Sequence, residues 1–237
     1  MGNMISIQQV SKKFGRVQAV QALNLELKAG QFVGLIGHNG AGKSTLLRML
    51  TGMLVPDEGR VEVCGIDVHK RPQESRRHFG AVPEVPALYE YMTGREYLEF
   101  VRDVRGGGEF QSLLESMHLA NDADRLIREY SQGMRRKTAL AAAMLGGAEV
   151  LVLDESLNGL DPPSASVVKQ LLRRHVDDGG CVLLSTHVVE TVERVADRVV
   201  MLAHGRVVAD ELVADLPAGG LESLFLSKLA ETRDAEK

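Results

Sequence analysis

The 237-residue chain is poor in cysteine and has no close pair of cysteines. Cys64 and Cys181 lie far apart, outside any C-x-x-C spacing, and both sit in strand-like apolar stretches. They are therefore expected to be buried free thiols in a reducing compartment. No run of about 18 apolar residues occurs, so the chain cannot cross a bilayer by itself. If it works at a membrane, another chain must supply the span. The start, Met1-Gly2-Asn3-Met4-Ile5, lacks the basic stretch and apolar core of a signal peptide. There is no basic excess: the formal net charge is −4, which argues against a general nucleic-acid binder. Internal repeats and long disordered segments are also missing. A chain of this length can bury a real core as one α/β domain, or as a core with a smaller lobe.

Alternation at Ile5, Ile7, Val20, Leu23, Leu25 and Leu27 predicts strands with one buried face. Gln31 to Ile36 reads as a buried strand, Lys43 to Thr51 as a helix, and Arg60 to Cys64 as a further strand. From about Pro83 to Leu145 the periodicity turns helical, with Gly106-Gly107-Gly108 separating two helices. Core signals then resume. Val150 to Leu153 is an apolar strand, and a helix over Val167 to Val176 is opened by Pro162-Pro163. Val182 to Leu184 is a strand, Val188 to about Val195 a helix, and a hairpin turns at His204-Gly205. The tail beyond Leu221 reads as a short helix with a charged end.

Gly37-His38-Asn39-Gly40-Ala41-Gly42-Lys43-Ser44-Thr45 fits G-x-x-x-x-G-K-[ST], between a strand and a helix as that motif requires. Its glycines let backbone N–H groups turn toward phosphate oxygens, and the helix start offers its positive dipole end to the same anion. Lys43 would reach the β- and γ-phosphates, and Ser44 would ligate Mg²⁺. The strand at Val150 ends in Asp154 and Glu155, suited to hold Mg²⁺ and to polarise the attacking water. His187 stands at the C-terminal end of another strand, where open α/β sheets bind ligands, and could contact the γ-phosphate. Ser131 is a natural helix N-cap, and Gly133 frees the backbone for close approach to an anion.

Taken in this order, the motifs resemble those of ABC-family nucleotide-binding domains over roughly Ile5 to Asp210. Gly37–Thr45 matches the Walker A loop and Val150–Glu155 the Walker B strand. Ser131-Gln132-Gly133-Met134 matches the signature segment, Leu157–Asp161 the D-loop, His187 the switch histidine and Phe14 the aromatic that stacks on adenine. The resemblance implies an α/β P-loop NTPase core of ABC type with a small antiparallel part and an inserted helical lobe. The core would take about 1–83 and 146–212, the lobe 84–145 and a helical tail 213–237. It also implies ATP and Mg²⁺ as cofactors and a head-to-tail pair of such domains. Each ATP would lie between Gly37, Asn39, Gly40, Ala41, Gly42, Lys43, Ser44 and Thr45 of one copy and Ser131 and Gly133 of the other, with Asp161 coupling the two sites. Mg²⁺ would meet Ser44, Asp154 and Glu84; Glu155, His187 and Lys43 would carry the chemistry.

Departures from the family pattern are Glu84 for the usual Gln, Tyr130, Gln132 and Met134 within the signature, and Ser156 for Pro. Pro83-Glu84-Val85-Pro86 and Tyr130–Met134 look like the branch serving drug, lipid and peptide exporters. The expected function is thus the ATPase subunit of an exporter, at the cytoplasmic face of the membrane. A separate permease would dock on the lobe around Glu84 to Arg105. Local core packing is expected for at least two of Tyr89, Tyr91, Tyr97 and Phe100. A soluble ABC ATPase of translation or DNA maintenance is the alternative, but such chains usually carry two domains or long coiled coils. A GTPase should show an Asn-Lys-x-Asp segment, and none is present.

Overall fold

The computed structural model describes residues 2–217 and 220–234. The chain opens with the antiparallel hairpin β1 (Asn3–Phe14) and β2 (Val17–Lys28), then runs through β3 (Gln31–Ile36) into α1 (Lys43–Leu50). β4 (Glu58–Val63) and β5 (Ile66–Asp67) complete a four-stranded sheet in the order β2-β1-β4-β5. One turn of helix, α2 (Pro72–Ser75), leads to β6 (Phe79–Val82). The helical lobe follows, built on α3 (Gly94–Arg105), α4 (Gln111–Ser116) and α5 (Gln132–Met144). β7 (Val150–Asp154), α6 (Pro162–Asp177), β8 (Cys181–Thr186), α7 (Val189–Val195), β9 (Arg198–Ala203), β10 (Arg206–Leu212) and α8 (Gly220–Asp234) finish the chain.

The second sheet has six strands in the order β10-β9-β3-β8-β7-β6, and its neighbours run parallel except β10 against β9. β8 is buried along its whole length, and β3 and β7 nearly so. Continuous runs such as Val150-Leu151-Val152-Leu153 suit only a sheet covered on both faces. One face packs Val33, Val152 and Leu183 against Leu46 and Met49 of α1 and the antiparallel sheet. The other packs Leu151 and Val182 against Leu98, Ala141 and Leu172 of the lobe and α6. The antiparallel sheet has one wet face, so in β2 Leu23, Leu25 and Leu27 are buried while the residues between them are exposed.

Local signals set the helix ends. The Thr93 hydroxyl accepts from Glu96 N (3.1 Å) and the Glu96 carboxylate from Thr93 N (2.8 Å), a reciprocal cap for α3. Gly106, at φ 84°, ends that helix. The Asp161 carboxylate caps α6 by accepting from Ser164 N at 2.9 Å, with Pro162 at its first turn. That bond holds the Asp161 carboxyl below its usual range.

β6 has no counterpart in the sequence reading. Its four residues include Gly80 and Ala81, which carry little periodic signal, and parallel pairing with β7 makes it a strand. Cys64 is a correction. It lies beyond the end of β4, half-buried in a turn at φ 50°, rather than buried in a strand; Cys181 is buried in β8. The aromatics are a second correction. Tyr97 is partly buried, but Tyr89, Tyr91 and Phe100 are 58%, 80% and 44% exposed, because they ride the outer side of the lobe. The expected charged end of the tail reaches 235–237, outside the described residues. Among the described residues no helix is long and apolar enough to cross a membrane.

The lobe meets the core backbone to backbone at Gly80, where a Cβ would collide with the carbonyl of Ala143 in α5. Gly80→Ala should therefore cost about 1–3 kcal/mol by overpacking. The check is a lower urea midpoint at unchanged slope.

Candidate active site

The site forms at the C-terminal ends of β3, β7 and β8, where side chains from three strand ends and one loop converge. The loop after β3 is shaped by contacts no side chain could share. A Cβ on Gly42, at φ 105°, would strike the Ala19 carbonyl, and one on Gly37 would press on the Leu202 carbonyl and the Ala41 Cβ. Gly40, at φ 85°, faces open space. The β9–β10 turn braces the loop, with Gly205 N donating to Ala41 O at 3.0 Å. No side chain caps α1, whose first turn carries no acidic residue. Lys43 is buried and donates from Nζ to Gly37 O at 2.6 Å. Burial pushes its ammonium below the ordinary value, while Glu155, Asp154 and Glu84 push it back up.

The loop lines a cleft of about 450 Å³ with Val17, Gln18, Ala19, Glu84, Glu155 and His187. Ser44 and Glu84 also line a neighbouring cleft that holds Asp154. The parallel register sets Asp154 beside Ser185, whose hydroxyl donates to its carboxylate. Glu155 is nearly buried and holds φ 49°, a left-handed conformation that costs a non-glycine residue of order 1 kcal/mol or more. That turn sends its carboxylate into the cleft. Its Oε1 lies 2.9 Å from His187 Nδ1, and its Oε2 accepts from Asn158 Nδ2 at 2.5 Å. Against an ionised carboxylate, which only accepts, Nδ1 would be the donor of this bond and Nε2 would stay outside it.

Two features fit a bound polyphosphate and metal: a loop whose glycines exclude side chains, and an uncapped helix start beside a buried ammonium. The oxygens of Ser44, Asp154 and Glu84 on adjoining clefts are the hard donors that Mg²⁺ takes.

Other candidates lie elsewhere. Ser131, at the start of α5 with its hydroxyl 3.2 Å from Met134 N, and Gly133 line neither cleft. Gly133 sits beside the 157–161 loop instead, where a Cβ would lie 3.8 Å from Leu160. Asp161 is exposed in that same loop. Phe14 is half-exposed at the hairpin tip opposite Val17, and of the two only Val17 lines the cleft.

Ser185 and Arg136 carry no role in the sequence reading, and Asn158 enters it only as part of the Leu157–Asp161 match. Arg136 in α5 is buried, its Nη1 would lie 3.1 Å from a Cβ on Gly159, and its Nε and Nη1 have no hydrogen-bond partner among the described residues. Such contacts depend on strand order and helix docking, which no local motif records. The departures also find their places. Tyr130 is buried, donates to Asp122 O at 2.8 Å and abuts Gly94, anchoring the start of α5 to α3. Ser156 donates to Val82 O at 3.1 Å, so a hydrogen bond ties this turn to β6.

This fold and loop define a P-loop nucleoside triphosphatase. The model of the family described as ABC transporter matches residues 20–158. The Nod factor export ATP-binding protein I of Rhizobium sp. (strain N33) is 39% identical over 212 residues, 87% of this chain and 70% of that protein. The daunorubicin resistance ATP-binding protein DrrA3 of Streptomyces coeruleorubidus is 37% identical over 220 residues, 90% and 70% of the two. A solved ATP binding subunit of an ABC transporter superposes with a TM-score of 0.89 at 28% identity, over 95% of this chain and 99% of that one. A dimeric ATP-binding cassette in a post-hydrolysis state with ADP and Pi gives 0.80 at 25% identity, over 89% and 99%. The chain belongs to the ABC transporter family.

Lys43→Ala should abolish tight ATP binding, because the loop folds around that ammonium. Equilibrium binding of a fluorescent ATP analogue reads the loss; wild-type affinity would refute the assignment.

Proposed function

We propose that this chain is the ATP-hydrolysing subunit of an exporter, working as a head-to-tail pair under a separate membrane-spanning permease. The observation that carries the reading is the division of the site. Lys43, Ser44, Glu84, Glu155 and His187 share one cleft, while Ser131 and Gly133 stand outside it at a helix start. A second copy would bring that start to the first copy's γ-phosphate.

Each residue then has a physical task. The loop amides and Lys43 hold the phosphates. Mg²⁺, with Ser44, Asp154 and Glu84 as ligands, would supply positive charge against the β- and γ-phosphates. Glu155 takes a proton from the attacking water, positioned for this by Asn158 and His187. His187 Nε2 is left to face the γ-phosphate. Loss of that phosphate removes the charge bridging the two copies, and the pair loosens. Phe14 stacks on the adenine from the cleft's rim, and Asp161 couples the two sites.

Two observations support a membrane partner. Tyr89 packs edge-on to Tyr97 and Phe100 (6.1 and 5.7 Å between centroids), and the exposed patch continues through Leu88 and Met92. An exposed apolar patch of this kind marks an interaction surface. The relatives named for Nod factor export and daunorubicin resistance favour export as the direction. In this reading the chain sits at the cytoplasmic face of the membrane.

Glu155→Gln should bind ATP but hydrolyse it about 10² to 10³-fold more slowly, as for loss of one charge-stabilising group. Light scattering with ATP and Mg²⁺ should then show a trapped dimer. From detergent-solubilised membranes, the tagged variant should bring down a multi-span protein in stoichiometric amount. Ribosomal or DNA-repair proteins in its place would overturn the exporter reading.

A further inference from the structure

At the opposite end of the parallel strands from the nucleotide cleft, three side chains of metal-ligating type converge. Cys64 comes from the β4–β5 turn, His78 from just before β6 and Glu149 from just before β7. One donor atom of each lies within 4.8 Å of the other two. His78 Nδ1 and Glu149 Oε1 are 2.7 Å apart, and the Met4 sulfur of β1 lies 3.7 Å from the Cys64 sulfur.

The backbone fixes this arrangement. Glu149 N and Val150 N both donate to His78 O, at 2.8 and 3.0 Å, and Cys64 N donates to Met4 O at 2.9 Å. Glu149 O accepts from Cys181 N at 2.8 Å, and His175 Nε2 lies 3.2 Å from it. Cys64 and Gly65 form the two-residue link between β4 and β5, at φ 50° and 75°. Turns of that kind favour Asn or Gly at the first position, so the turn alone does not call for a cysteine.

We propose that Cys64, His78 and Glu149 form a zinc site, binding through one thiolate, one imidazole nitrogen and one carboxylate oxygen, with water in the fourth position. Zinc takes this donor mixture in a tetrahedron with bonds of about 2.0–2.3 Å. Magnesium and calcium take oxygens alone. The His78 and Glu149 side chains are 32% and 48% exposed, which leaves both room to rotate toward the Cys64 sulfur. On binding, the thiol proton leaves to solvent as the sulfur takes the metal. The ion would join the antiparallel sheet, through Cys64, to the parallel sheet, through His78 and Glu149.

The test uses the full chain, stripped of metal and without nucleotide, titrated with Co²⁺ and then Zn²⁺. Wild type should bind one Co²⁺ with a sulfur-to-cobalt charge-transfer band that Zn²⁺ abolishes. Cys64→Ser should lose the band, weaken Zn²⁺ binding by at least ~10-fold and keep wild-type ATP affinity, which reports an intact fold. Glu149→Gln should weaken Zn²⁺ binding comparably, and Cys181→Ser should keep the band. Ions held by the nucleotide-site carboxylates give no sulfur band. No band in wild type, or a band that survives Cys64→Ser, would overturn the site.

Discussion

The structure turns on one buried ammonium. Lys43 sits inside the loop after β3, bonded to the carbonyl of Gly37, and three carboxylates reach toward it from other parts of the chain. A buried charge is tolerated only where neighbours compensate its lost hydration. The loop can close around this side chain because Gly37 and Gly42 leave room for the Leu202 and Ala19 carbonyls. Those carbonyls belong to β9 and β2, so both sheets must be assembled before the loop has its shape. Asp154, Glu155 and Glu84 arrive from the ends of β7 and β6, which fixes the strand order around the same point.

What could be read beforehand was whatever sits close together in the chain. The phosphate loop, the strand ending in Asp154 and Glu155, and the cap at Ser131 are each contained within a few residues. The apolar runs within β3, β7 and β8 also read as strands, while their parallel pairing came only with the structure. Contacts made by assembly stayed hidden. Ser185 meets Asp154 only because β8 lies next to β7 in register. Asn158 reaches Glu155 because the chain turns there, Asn158 N donating to Glu155 O at 3.2 Å, a local turn that no motif records. Tyr97 and Phe100 lie three apart on α3, and such spacing is the same whether a stripe faces inward or outward; Tyr89 and Tyr91 lie in the loop before that helix, where no period applies.

The two families of phosphate-directed groups stay apart within one chain. Ser131 and Gly133 are held beside the 157–161 loop, and Arg136 of the same helix points into that loop with part of its guanidinium unpartnered. Buried polar groups in native proteins are nearly always paired, so Arg136 stands out among the described residues, together with His69 Nε2. The corner around Arg136 is also where Asp161 and Asn158 lie, beside the helix start that the proposed pairing would turn toward a second copy.

The contact at Gly80 bears on how the parts move together. With no side chain between strand and helix, β6 and α5 touch at their backbones, so there is no soft layer to absorb a displacement. Four residues further on, β6 has already become the loop that carries Glu84 to the cleft. At its other end, α5 carries Ser131. A displacement of α5 at this point would press directly on the strand that leads to Glu84, so the helix that carries Ser131 and the loop that carries Glu84 share one rigid contact.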